Sequence, residues 1–192
     1  MKMQLAQAPP SATRSAMHRL FVAIRPPQHV IEDLLALTGG ISGARWQSAD
    51  HLHLTLRFIG EVGPHQADDI DAALKSVHHQ AFDLALSGLG SFERRGQPEV
   101  VWAGVQPQEP LKALHKKVDQ AVARSGLEPE RRAYSPHITL ARLKRSSGPI
   151  GGFLEQRLGP SRPFTVDSFA LYESRLTPGG AIYEILNRYR LD

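Results

Sequence analysis

The sequence predicts an α+β fold of two pseudo-symmetric lobes, built from a duplicated β-α-β-α-β unit, with antiparallel sheets flanking a central cleft and helices on the outside. Three observations carry this expectation. Apolar residues switch along the chain between the period of a strand and that of a helix. A short motif occurs twice, as His53-Leu54-Thr55-Leu56 and as His137-Ile138-Thr139-Leu140. Three landmarks also recur at a nearly constant offset: Pro26 and Pro107 are 81 residues apart, His53 and His137 are 84, and Phe82 and Phe164 are 82. A unit of about 80 residues that repeats in this way reads as an internal duplication. A pseudo-two-fold axis would then bring the two motif strands to one cleft.

The chain has 192 residues, 41% of them hydrophobic and 22% charged. That suits one domain large enough to bury a core. No apolar run approaches the ~20 residues needed to span a bilayer. Residues 1–16 carry Lys2 but no apolar stretch behind it, so no cleaved secretory signal is expected. Their Ala, Gln, Pro and Ser content makes 1–18 a disordered leader, with Met17 near the functional start. Residues 19–192 read as one bilobal domain with approximate halves 19–98 and 99–192. The chain has no cysteine. This excludes disulfides and thiolate metal sites and fits a cytoplasmic location. A net charge of +4 favours an anionic partner without identifying it.

The elements follow in order. Arg19 to Ile24 is an apolar strand ended by Pro26-Pro27. Val30, Ile31, Leu34, Leu35 and Leu37 mark a helix over 28–38, stopped by Gly39-Gly40. Arg45-Trp46 is a short extended piece. His51 to Ile59 is the first motif strand, with Leu52, Leu54 and Leu56 facing the core and His51, His53, Thr55 and Arg57 on the open face. An amphipathic helix over 64–79 buries Ile70, Leu74 and Val77. Phe82 to Leu86 is a strand, and Val100 to Val105 another. Leu111, Leu114, Val118, Ala121 and Val122 give a helix that Gly126 closes. The second motif strand covers 136–143, with Ile138 and Leu140 inward. A short helix follows near 152–158. Phe164 to Glu173 and Ile182 to Tyr189 form a hairpin through Pro178-Gly179-Gly180. The stretches 91–98 and 144–150 read as loops flanking the cleft mouth.

A histidine and a threonine side by side on an open strand face suit work on a phosphate. Imidazole titrates near neutrality and the hydroxyl donates without charge. Two such pairs facing one another supply an acid and a base on opposite sides of one phosphorus. Thr55 and Thr139 would hold the non-bridging oxygens. His51 with His53 makes His-x-His, a spacing that also suits a metal, and His137 could complete a three-histidine site. Ser135 stands where a symmetric partner of His51 would be, and no carboxylate cluster completes such a site. Arg94, Arg95, Arg131, Arg132, Lys144 and Arg145 could guide a nucleic-acid backbone.

These residues resemble the 2H phosphoesterase superfamily, and most closely the bacterial RNA 2′,3′-cyclic phosphodiesterases, also called 2′-5′ RNA ligases. The resemblance runs from Arg19 to the C-terminus. It rests on Arg19-Leu20-Phe21-Val22-Ala23-Ile24, on His53 to Val62, on Val101-Trp102-Ala103-Gly104-Val105, on Pro136 to Arg142, and on Leu171-Tyr172-Glu173-Ser174. Tyr134 departs from the family's usual Phe. The resemblance implies hydrolysis of a terminal 2′,3′-cyclic phosphate on RNA to a 2′-phosphate, with no metal or other cofactor, no membrane and no obligate protein partner. Ligation through a 2′-5′ linkage would be the same chemistry in reverse. The resemblance further implies that His53 is the acid and His137 the base, roles that pseudo-symmetry leaves interchangeable. It implies base stacking by Phe58 and a phosphate or base contact by Arg142. Parity opposes the last two, because a residue five positions after the histidine on a regular strand points to the opposite face. Either the strand bulges or ends there, or Phe58 belongs to the core. Two other functions compete: action on a small cyclic nucleotide or 2′-5′ oligonucleotide, and a non-catalytic RNA-binding platform.

Overall fold

A computed structural model describes residues 17–156, 158 and 162–192; the expected leader falls largely outside them. The first half runs β1 (His18–Ile24), α1 (Gln28–Ala36), β2 (Arg45–Trp46), β3 (Leu54–Val62), α2 (Pro64–Leu74) and β4 (Phe82–Arg94). The second runs β5 (Gln97–Gln106), α3 (Glu109–Arg124), β6 (His137–Arg142), α4 (Gly151–Leu154), β7 (Phe164–Val166), β8 (Ser168–Thr177) and β9 (Gly180–Arg190).

The strands follow the order β7-β4-β5-β6-β3-β1-β8-β9, with β2 beside β6, and every pairing is antiparallel. At the middle of this path β6 and β3 pair through a single residue couple, Ile138 and Leu54. That link divides the path into two sheets, β7-β4-β5-β6 and β3-β1-β8-β9. The fourth strand of each half pairs with the other half's first strand, β4 with β5 and β8 with β1. Each lobe therefore draws strands from both halves of the sequence.

The helices cover the outer faces, and one continuous core lies beneath them. Helix α3 buries Leu111, Leu114, Val118, Ala121 and Val122, an apolar stripe at helical spacing. Leu52, Leu54, Leu56, Ile138 and Leu140 all enter this core. Strand β1 is apolar without alternation because both its faces are covered. Leu20, Val22 and Ile24 join the main core, whereas Phe21 and Ala23 join a small cluster with Ala170 and Tyr172 on the other face.

The short helix expected near 152–158 is Gly151–Leu154, and four further boundaries change. The first motif strand starts at Leu54 rather than at 51, because Ala49–His51 winds into a single 3₁₀ turn. Helix α2 stops at Leu74, and Val77 is buried from the turn beyond it. Phe164 to Glu173 is two strands. Val166 pairs with Phe82 of β4 and Ala170 pairs with Ala23 of β1, so the chain changes sheets at Asp167.

The fourth change is the largest: 91–98 is not a loop. Strand β4 continues to Arg94 and turns at Arg95-Gly96, both at positive φ, directly into β5. Glycines and charges hide this strand from a propensity reading. Gly90 is needed there, because a Cβ on it would lie 2.3 Å from the Trp102 ring.

Candidate active site

Both motif strands carry a β-bulge at the third residue after the histidine. Thr55 pairs with Ala23 and Arg57 with Val22, which leaves Leu56 out of register. Thr139 pairs with Trp102 and Ala141 with Val101, which leaves Leu140 out in the same way. An extra residue switches the facing of everything after it. The fifth residue thus returns to the histidine's face, and the parity objection to Phe58 and Arg142 disappears. His53, Thr55, Phe58, His137, Thr139 and Arg142 line one cavity of about 550 Å³.

The first bulge also moves Arg57, which was expected on the open face. Arg57 turns towards α3, is only 9% exposed, and pairs with Asp119 at 3.0 Å and Glu130 at 3.1 Å. It ties β3 to the segment that leads into the second motif.

The two histidines are oriented identically. His53 donates from Nδ1 to the carbonyl of His51 at 2.8 Å, and His137 donates from Nδ1 to that of Ser135 at 2.8 Å. A carbonyl only accepts, so each Nδ1 carries the proton and each neutral ring keeps Nε2 as the free base.

The sequence pattern of the 2′-5′ RNA ligase superfamily matches residues 26–177. This chain belongs to that superfamily. It is 31% identical over 172 residues to an RNA 2′,3′-cyclic phosphodiesterase of Archaeoglobus fulgidus, covering 88% of this chain and 97% of that one. It is 32% identical over 183 residues to one of Escherichia coli, covering 92% and 98%. The fold superposes on the crystal structure of E. coli LigT complexed with 3′-AMP with a TM-score of 0.76 at 30% identity, over 92% of this chain and 99% of that one.

In this superfamily member, aromatic rings wall both histidines. Phe21, Tyr183 and Tyr172 lie 5.0, 5.4 and 6.5 Å from the His53 ring. Phe92 and Trp102 lie 4.7 and 6.2 Å from that of His137. Burial disfavours the charged form. It pushes the His53 pKa down to about 4, helped by the nearby His51, His137 and Arg142 and opposed by the carbonyl bond. His137 is lowered as well, first by burial and then by Arg142, against its bond to Ser135. No residue-level signal marked these aromatic walls, because the rings sit on five different strands that only the sheet order brings together.

His51 lines the same cavity but is held differently from this pair. Its Nδ1 meets Ser48 Oγ at 2.7 Å and its Nε2 meets the Ala181 carbonyl at 2.6 Å. Both ring nitrogens are thus engaged within the protein, and His51 acts as a strut between the first motif and β9. Tyr134 also has a structural use that Phe would not fill: its hydroxyl donates to the Thr55 carbonyl at 3.1 Å, and its ring stacks on His115. Of the six basic residues expected to guide a backbone, only Arg132 lines the cavity; Arg131 pairs with Glu128. No helix among the described residues is long and apolar enough to cross a membrane.

Proposed function

We propose that this protein is a cytoplasmic, metal-independent phosphodiesterase that opens the 2′,3′-cyclic phosphate at RNA ends to a 2′-phosphate. The observation that carries this reading is the matched pair of histidines, each with Nδ1 fixed on a carbonyl and Nε2 left for the same cleft. The curated names of its relatives, RNA 2′,3′-cyclic phosphodiesterase, support the substrate class.

His137 Nε2 takes a proton from water as the water oxygen bonds to phosphorus. The P–O3′ bond breaks on the opposite side, and His53 Nε2 gives its proton to the departing 3′-oxygen. The phosphate stays on the 2′-oxygen. Thr55 and Thr139 donate hydrogen bonds to the non-bridging oxygens as charge grows there. Phe58 stacks on the terminal base, and Arg142 offsets the phosphate charge. With a 5′-hydroxyl in place of water, the reverse reaction joins two RNA ends through a 2′-5′ linkage. His53 is neutral in the free enzyme at pH 7, so the substrate's negative charge must raise its proton affinity on binding.

The test is an assay of purified protein on RNA ending in a 2′,3′-cyclic phosphate, with and without EDTA. The expected product is a 2′-phosphate end, formed equally fast with chelator. A 3′-phosphate end, or loss of activity with EDTA, would overturn the reading.

A further inference from the structure

Beside the catalytic cavity lies a second one of about 440 Å³, formed between β2 and the β8–β9 hairpin. The two share Gln47, His51, His53, Phe58, Arg142 and Tyr183, so they form one continuous depression. The second cavity gathers Arg19 from β1, Arg45 from β2 and Arg142 from β6, with no carboxylate in its lining.

The placement of these arginines is unfavourable without an anion. Arg45 and Arg142 are directly opposite across the β2–β6 pair. Like charges in that position repel. Among the described residues, none of the three makes an ion pair. Glu61 lies opposite Arg19 across β1 and β3 but does not close on it. Arg175, nearby on β8, is by contrast held by Glu173 at 3.0 Å and Glu184 at 3.1 Å. The hairpin wall is also fitted to Arg45: a Cβ on Gly180 would lie 3.1 Å from its guanidinium nitrogen. His51 fixes that wall through the carbonyl of Ala181.

Resting on the proposed function, we infer that this cavity holds the phosphodiester on the 5′ side of the terminal nucleotide, between Arg45 and Arg19. The natural substrate is then an oligoribonucleotide end, and a cyclic mononucleotide fills only half of the site. Arginine is suited to this task, because its planar fork binds phosphate oxygens in pairs.

The experiment compares kcat/KM on three substrates: a nucleoside 2′,3′-cyclic phosphate, a dinucleotide with the same cyclic end, and that dinucleotide joined through an uncharged methylphosphonate. The wild type should favour the charged dinucleotide. Arg45→Gln and Arg19→Gln should each lower its kcat/KM ~10-fold, mainly through KM, on the scale of a charge-assisted contact. Neither should change turnover of the mononucleotide, which also reports that the variants are folded. The methylphosphonate should behave in the wild type as the mononucleotide does. Equal losses on mononucleotide and dinucleotide, unchanged dinucleotide kinetics, or full activity on the neutral linkage would each overturn the inference while leaving the proposed function intact. A wild type that hydrolyses none of the three would overturn both.

Discussion

Strands β3 and β6 present their histidines on the same backbone device and differ in what they place around it. Each has a carbonyl anchor two residues before the histidine and a bulge three residues after it. At the fourth position, however, β3 has the ion-paired Arg57 and β6 the fully buried Ala141. At the fifth, an exposed aromatic ring faces a cation, Phe58 against Arg142. Three rings crowd His53 and two crowd His137. The shared backbone turns both histidines into one cavity. Burial lowers both rings, His53 to about 4, so the proton that the proposed acid needs must be drawn to His53 by the bound phosphate.

The sharpest way to test this division is to remove each ring. His53→Ala and His137→Ala should each lower kcat/KM by ~10²–10⁴-fold, and the double variant should be little worse than the poorer single one. An activated aryl phosphodiester needs no proton on its leaving group. On that substrate His53→Ala should recover most of its loss and His137→Ala should not; the opposite result would exchange the two roles.

Thr55→Val and Thr139→Val keep the branched shape of each strand residue but delete one donor. Each should lose at most ~10²–10³-fold, less than the histidine on its own strand, with the fold intact by circular dichroism. Unchanged kinetics in both would remove the threonines from the proposed mechanism.

Arg57 is the strongest side-chain difference between the strands. Arg57→Met should strip Asp119 and Glu130 of their partner and cost ~1–3 kcal/mol in urea unfolding. Arg142→Ala, at the exposed position, should leave stability within about 0.5 kcal/mol and act on KM instead.

The smallest effect is a displacement along the pH axis. The proposed reaction needs one histidine protonated and the other neutral. Acid removes the base and alkali removes the acid, so kcat/KM should be bell-shaped. Burial lowers both groups in the free enzyme, His53 to about 4, and both limbs should therefore fall below 6.5. They belong to the coupled pair rather than to single residues. Phe21→Leu lets water reach His53 and should raise the lower limb by ~1 unit, equivalent to ~1.4 kcal/mol. Limbs at or above 6.5 in the wild type would show that burial is not what sets these affinities.

What could be read from the sequence was local or repetitive. Alternation placed Leu54, Leu56, Ile138 and Leu140 in the core, the 81- to 84-residue offset exposed the duplication, and the paired His-x-Thr singled out four cleft residues. These features follow from the period of a strand and from comparing the chain with itself. Cross-strand registry decided the rest. The bulges at Leu56 and Leu140 exist only relative to Val22-Ala23 and Val101-Trp102. They alone turn Phe58 and Arg142 into the cleft and bring Arg57 onto Asp119 and Glu130. The hairpin at 91–98 likewise forms because β5 supplies the partner groups that a glycine-rich, charged stretch cannot supply itself. A strand's face and its extent are properties of a pair of strands, so one segment's own residues could not determine them.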